Sequence, residues 1–256
     1  MAYAYAKRIE PWALSVERVQ LRSPRVPPEL DGVTIGHLSD LHLGGATSQA
    51  FVQMAVRTLI DLKPDLLALT GDLVHVPGIA GMVTETLRDF RAPLGSYITL
   101  GNHDYWHDAE AVAGALRQSG HVVMQNHSAR LEINGAPLHI VGVDDVWEKK
   151  HRLGQALSNV TAGEAALLLV HEPDVADNFA PAFPFIAQLS GHSHGGQVRV
   201  PLIGAPVRVP LGRKYVMGQF DVQGMRLYVS RGVGMAQPYV RFLCPPEVTL
   251  LTLRRA

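Results

Sequence analysis

The sequence predicts an α/β fold in which two sheets pack face to face with helices outside. Three observations carry that expectation. In the first half, short β-rich apolar runs alternate with stretches that suit helices; in the second half, strand follows strand around a tight-turn dipeptide. No repeat, low-complexity tract or linker divides the 256 residues. Residues 1–256 are therefore expected to form one domain.

Leu14, Val16, Val19 and Leu21 roughly alternate with polar residues up to the proline-rich "SPRVPPELDG", which reads as an opening strand and a turn. "GVTIGHL", "DLLALT" and "SYITL" are strand-like, and the stretches 48–62, 80–91 and 108–119 suit helices. Strand, helix, strand at this spacing is the βαβ unit of a largely parallel sheet. "ARLEINGAPLHIVGVDD" then reads as two strands around Asn134 and Gly135, a pair favoured in tight hairpin turns. "AALLLV", "FPFIAQL" (residues 183–189), "GQFDVQGMRLYVS" and "EVTLLTL" supply further strands.

Composition narrows the function. With 23 basic and 23 acidic residues the formal charge is zero, which removes the electrostatic footprint of a dedicated nucleic-acid binder. Cys244 is the sole cysteine, so an intrachain disulfide framework and a cysteine-rich zinc site are both excluded. Any metal must use His, Asp, Glu or Asn. The opening "MAYAYAKRIEPWALSVERVQL" holds no apolar run of signal-peptide or membrane-span length, and the expected location is the cytoplasm or the membrane periphery.

Each apolar run ends in a polar cluster. The first runs into "SDLHLGG" (Asp40, His42), the second into "GDLVH" (Asp72) and the third into "GNHDYW" (Asn102, His103, Asp104). "AALLLV" ends in "HEPD" (His171), and "FPFIAQL" ends in "GHSHGG" (His192, His194). The separations 72 − 40 = 32 and 102 − 72 = 30 match one βαβ unit each, which places these clusters side by side at the carboxyl edge of the sheet. Two carboxylates, four histidines and an asparagine exceed what one tetrahedral metal needs. They suit two divalent ions sharing a bridging carboxylate, and a nitrogen and oxygen set without thiolate fits Mn, Fe, Zn, Co or Ni, with manganese foremost.

The ordered set D-x-H, G-D, G-N-H-D, H, G-H-x-H resembles the calcineurin-like metallophosphoesterases across residues 40–194. The tail "GHSHGGQVRVP … YVSRGVG … RFLCPPEVTLLTL" is further similar to a bacterial, often membrane-anchored subgroup that includes UDP-2,3-diacylglucosamine hydrolases. The resemblance implies a four-layer αββα sandwich. It also implies that Asp40, His42 and His194 hold one metal, that Asn102, His171 and His192 hold the other, and that Asp72 bridges them. His103 would contact the phosphate and the leaving oxygen, with Asp104 placed to orient it. A hydroxide between the metals would attack the phosphorus in line. The expected activity is hydrolysis of a phosphodiester or pyrophosphate bond in a small-molecule or lipid-linked substrate. A phosphomonoesterase and a noncatalytic metal-binding scaffold are the alternatives. The subgroup likeness also implies peripheral membrane contact and an apolar segment ahead of residue 1.

Other residues have open assignments. His37 reads as a hydrogen-bonded core residue. His75 and His107 are candidates for the rim of the site, whereas His121, His127, His139 and His151 read as structural or exposed. Arg208, Arg213, Lys214, Arg231 and Arg241 follow the metal motifs, where a guanidinium could grip a second phosphate or stay solvated on a loop. The segment Val200 to Gly218, apolar and proline-rich, is either a packed strand pair or an apolar lip for a lipid substrate.

Overall fold

Residues 2–256 are described by a computed structural model. The strands are β1 (Ser15–Ser23), β2 (Thr34–Leu38), β3 (Leu66–Thr70), β4 (Ser96–Thr99), β5 (Val122–Val123), β6 (His127–Ile133), β7 (Ala136–Gly142), β8 (Ala165–Leu169), β9 (Ala187–Ser190), β10 (Gly218–Val222), β11 (Met225–Val229) and β12 (Glu247–Arg255). The main helices are α1 (Ala2–Arg8), α2 (Gln49–Ile60), α3 (Ala80–Thr86), α4 (Asn102–His107) and α5 (Ala109–Gln118).

Two six-stranded mixed sheets result, ordered β1-β12-β2-β3-β4-β5 and β10-β11-β9-β8-β7-β6. In the first, β2 to β5 run parallel and β12 enters antiparallel to β2, while β1 pairs β12 in parallel. In the second, β11, β9, β8 and β7 are parallel and the two edge strands antiparallel.

Period-two alternation explains why the central strands read as unbroken apolar runs. In β3, Leu66 and Ala68 face the other sheet, while Leu67 and Leu69 face α2, α3 and α5. In β8, Leu167 and Leu169 join the inter-sheet core, and Ala166 and Leu168 join the outer core with Phe179 and Phe185. Three separate cores thus lie between four layers, an αββα sandwich, and each sheet is buried on both faces. Burial of a Leu or Ile in such a core contributes about 1.5–3 kcal/mol.

Local chemistry sets the boundaries. Ser48 caps α2 by accepting the Phe51 N–H at 3.3 Å. Asn134 and Gly135 both take positive φ, 54° and 84°, as a two-residue hairpin turn demands between β6 and β7. Two expected spans are shorter than the sequence suggests. The strand expected over 183–189 starts only at Ala187, because Phe183 and Phe185 pack against each other with ring centroids 5.1 Å apart and turn into the outer core before pairing begins. The helix expected over 80–91 ends at Thr86, where Leu87 and Phe90 pack inward from a turn. No helix among the described residues is long and apolar enough to cross a membrane.

Candidate metal centre

The loops leaving the carboxyl ends of β2, β3, β4, β8 and β9 converge where the edges of the two sheets meet. The first two are stitched together, since Asp40 N–H donates to Gly71 O and His42 N–H to Asp72 O, each at 3.0 Å. Asp40, His42, Asp72, His192 and His194 all adopt φ between 47° and 67°, a region that side chains other than glycine rarely enter. This backbone turns successive side chains inward from very short loops. Gly191 is required for the same reason: a Cβ there would sit 1.7 Å from Ser39 Oγ and 2.3 Å from Asp40 Oδ2. Gly101 is equally confined, 2.4 Å from Asp72 Oδ1 by the same measure.

The donor atoms form two buried groups with one member in common. Asp40, His42, Asp72 and His194 make one, and Asp72, His171 and His192 the other, with ligand atoms within 4.8 Å of one another in each. Asp72 Oδ2 lies 3.6 Å from His42 Nε2 and 3.3 Å from His171 Nε2, while His194 Nε2 lies 3.4 Å from Asp40 Oδ1 and 3.0 Å from His42 Nε2. Asn102 is buried, and its Oδ1 has no hydrogen-bond partner among the described residues.

Hydrogen bonds at the rear fix the ring tautomers. His171 donates Nδ1–H to Thr70 O at 2.8 Å, which leaves Nε2 as the nitrogen that faces Asp72, where it can carry a proton or meet a cation. His192 donates Nε2–H to Pro210 O at 2.8 Å, which leaves Nδ1 free. Orphaned Asn102 Oδ1, ring nitrogens directed inward and two carboxylates without Lys or Arg partners form a donor set suited to divalent cations.

Electrostatics supports that reading. Burial pushes the Asp40 carboxyl up to about 7, and it pushes His42 and His194 well below the histidine range. Burial also opposes charge on Asp72 and His171, yet their mutual attraction outweighs it, holding Asp72 well down and His171 well up. A proton on His171 thus partly neutralises Asp72 in the place where a cation would do so.

His103 stands beside this cluster at the first turn of α4, its N–H donating to Asp72 Oδ1 at 2.9 Å. Its ring packs edge-on against His42 at 4.6 Å and stacks on His75 at 5.1 Å. His75, one of the rim candidates, is held at both nitrogens: Nδ1 lies 3.2 Å from His42 Nδ1 and Nε2 lies 2.8 Å from the Tyr239 hydroxyl. His75, His103, Trp106 and His107, with Ala236 and Gln237, line an open cavity of about 400 Å³. A second cavity of about 290 Å³ also uses Ala236 and Gln237, and its walls are His194, Val198, Pro206, Val207 and Val209.

Several residues are placed differently from the sequence expectation. Asp104 does not touch the His103 ring. It accepts Leu73 N–H and Val74 N–H on Oδ1 and Gly101 N–H on Oδ2, at 2.8, 3.1 and 2.9 Å, so it ties the Asp72 loop to the Asn102 turn. Arg241, a candidate substrate contact, is fully buried; its guanidinium donates to the carbonyls of Arg231, Gly232, Gly234 and Cys244. Arg231 is engaged by Glu17 at 2.5 Å and Glu247 at 2.6 Å. Arg208 and Arg213 remain exposed on the loop beyond His194. His37 is buried in β2, 2.8 Å from Thr70 Oγ1, with its ring held down at about 3 by burial.

The motifs assign no role to four contributors: Tyr239, Trp147 and the buried pair Asp145 and Glu172, although Glu172 lies within "HEPD" itself. Glu172 Oε1 accepts the N–H groups of Val146 and Trp147 at 3.0 and 2.8 Å, which sets the Trp147 ring 5.6 Å from His192. Burial, then the charge of Glu172, raises Asp145 to about 9, which favours its protonated form near neutral pH.

The four carbonyl bonds of Arg241 generate a prediction. Arg241→Met should lower unfolding stability by about 3 kcal/mol or more, since Gly232 O keeps the Glu247 N–H but the other three carbonyls lose their donor at about 1–3 kcal/mol each. Urea denaturation measures it; an unchanged midpoint together with a raised KM would return Arg241 to substrate contact.

The comparisons with known proteins agree with this geometry. Residues 33–196 match the family model described as calcineurin-like phosphoesterase. An uncharacterised metallophosphoesterase of Bacillus subtilis, YkuE, is 33% identical over 98% of this chain and 90% of its own length. Phosphodiesterase YaeI of Escherichia coli is 30% identical over 84% of this chain and 80% of its own. UDP-2,3-diacylglucosamine pyrophosphatase LpxG of Chlamydia trachomatis is 26% identical over 98% of this chain and 92% of its own. With family motifs that reach from β2 to the turn after β9, and relatives that align along nearly its whole length, the chain belongs to the calcineurin-like phosphoesterases and is a hydrolase of the metallophosphoesterase type.

Proposed function

We propose that residues 1–256 act as one domain that hydrolyses a phosphodiester or pyrophosphate bond with two divalent metals, in a lipid-linked nucleotide such as UDP-2,3-diacylglucosamine. The observation that supports it best is the pair of buried donor groups sharing Asp72, with His103 beside them. The names of the Escherichia coli and Chlamydia relatives support the bond type and the lipid-linked class. The apolar cavity beside His194 supports the same class, because it offers an acyl chain a site next to the reacting phosphate.

Asp40, His42 and His194 would hold one ion and Asn102, His171 and His192 the other, with Asp72 common to both. Manganese fits this set, as do iron, zinc, cobalt and nickel. When bound, the ions supply a water deprotonated near neutral pH and positive charge against the phosphoryl oxygens. The chain supplies the rest. Thr70 and Pro210 fix the rings of His171 and His192 so that their free nitrogens point inward. His103 would donate a proton to the leaving oxygen. Burial first, and then the neighbouring imidazoles, hold His103 below the usual histidine range against the pull of Asp72, so its acid form depends on the negative charge of bound phosphate. His75, fixed by Tyr239, keeps the His103 ring upright over the site. Arg208 and Arg213 are the cations left to meet a second phosphate.

Asp72→Ala should empty both sites together, because one carboxylate serves both ions. Metal analysis of the purified variant tests this, and two retained equivalents would sink the shared assignment. His103→Ala should keep its metal yet lose roughly 10²- to 10⁴-fold in turnover of alkyl esters, with a smaller loss for nitrophenyl esters whose leaving group needs no proton. Equal losses on bis-p-nitrophenyl phosphate and an alkyl diester would make His103 a phosphate contact instead. Acylated UDP-glucosamine should be cleaved with a higher kcat/KM than its deacylated counterpart, since each buried methylene is worth about 0.8 kcal/mol. Equal values would leave a general phosphodiesterase.

A further inference from the structure

Large apolar side chains are exposed on three segments that hydrogen bonds join into one surface. Helix α1 presents Tyr3 and Tyr5, and Ile9 stands just past its end; a tight turn presents Leu202 and Ile203; Leu243 lies two residues after the buried Arg241. Arg241 N–H donates to Ala6 O at 2.9 Å, and Cys244 N–H donates to the buried Glu10 carboxylate, which fastens α1 to residues 241–244. Arg199 N–H to Phe242 O and Phe242 N–H to Gln197 O, at 2.8 and 3.0 Å, fasten the same residues to the stretch leading into the turn. Val200 and Gly204 close that turn with a reciprocal pair of backbone bonds at 2.8 and 2.9 Å. Leu202 at its tip is fully exposed with φ of 67°, where Asn or Gly would sit at less cost. A strained, solvent-facing leucine is unfavourable twice over in water.

Charge on these segments is one-sided. Residues 2–9, 195–219 and 235–245 contain seven Lys and Arg and not one Asp or Glu, within a chain that holds 23 of each sign. Lys214 is paired with Asp177 at 2.8 Å and Arg241 is buried, but Lys7, Arg8, Arg208 and Arg213 are exposed without a carboxylate partner among the described residues. The cavity of about 290 Å³ lies beside the metal ligand candidate His194, and its walls include Val198 and Val207, which stand on either side of the 200–204 turn in the chain.

We propose that α1, the turn at 200–204 and residues 241–244 form a docking face for an anionic lipid bilayer, with the cavity beside His194 opening toward the lipid. Apolar tips and tyrosines among unpaired cations match the boundary between acyl chains and anionic headgroups. An acidic protein would meet the cations but gain little from Leu202 standing alone. The biological purpose rests on the lipid-linked substrate reading; the docking itself is measurable without any substrate.

Co-sedimentation of the full chain with vesicles provides the test, using phosphatidylcholine alone and phosphatidylcholine mixed with phosphatidylglycerol. Binding should be strong on the anionic vesicles, weak on the neutral ones and reduced by salt. The double change L202S/I203S should lower partitioning roughly tenfold or more, and K7Q/R8Q should lower it about fivefold per charge on anionic vesicles only. Unchanged melting temperatures and metal content would show that these surface variants fold. Failure of the unaltered chain to bind vesicles, or equal binding by all three proteins, overturns the proposal. So does a dimer in sedimentation velocity that L202S/I203S splits, since a second copy would then cover the face. Hydrolysis of bis-p-nitrophenyl phosphate is assayed in parallel on the unaltered chain. Hydrolysis without vesicle binding overturns the docking face alone; vesicle binding without hydrolysis overturns the functional reading alone.

Discussion

The Asp72 carboxylate, fully enclosed and within 3.6 Å of two imidazoles, is the group on which the rest of the structure depends. A buried anion is tolerable only if it is hydrogen-bonded and met by positive charge. The fold meets both conditions through backbone: His103 N–H reaches one oxygen, and Gly71 and Gly101 let His171 and the neighbouring loop come close enough to face the other. Five of the inward-facing residues take left-handed φ to do this. At about 1–3 kcal/mol each, that strain amounts to roughly 5–15 kcal/mol, comparable with the net stability of a whole domain. A site of this kind cannot sit on a small scaffold. Three stacked cores, with both faces of each sheet buried, are what offset it.

Much of this was legible in the sequence because it is local. Unbroken apolar runs such as "DLLALT" follow from burial on two faces, the Asn134-Gly135 pair dictates its own turn, and polar clusters at successive strand ends meet wherever parallel strands lie side by side. The chain spacing therefore predicts which residues converge. It does not predict which atoms they bond. Asp104 follows His103 directly, so orienting that ring was the natural expectation; its carboxylate instead satisfies three backbone N–H groups, two of them thirty residues away. Arg241 shows the same limit from the other side. A guanidinium carries the same formal charge whether it meets phosphate or four carbonyls, and only the loop that encloses it decides.

Around the donor set lies a second tier of polar groups whose work is positional. Thr70 and Pro210 carbonyls select imidazole tautomers, Tyr239 holds His75 against His103, and the Asp145 and Glu172 carboxyls accept backbone N–H groups of the loop that carries Trp147. These partners come from the end of β3 and from loops far apart in sequence that leave both sheets, so the site forms only when the sandwich closes. Function and tertiary packing are in that sense one equilibrium.

The order of the first sheet has a consequence for how the molecule is made. Strand β12, residues 247–255, lies inside the sheet between β1 and β2 rather than at its edge. On a ribosome the amino-terminal strands must therefore wait, with a vacant slot between them, until some two hundred further residues have been polymerised; at about 5–20 residues per second that is roughly 10–40 s. Throughout that interval β1 and β2 present unpaired edges and an uncovered apolar face. The first sheet is thus completed from within by the last strand to be made, not extended at its edge.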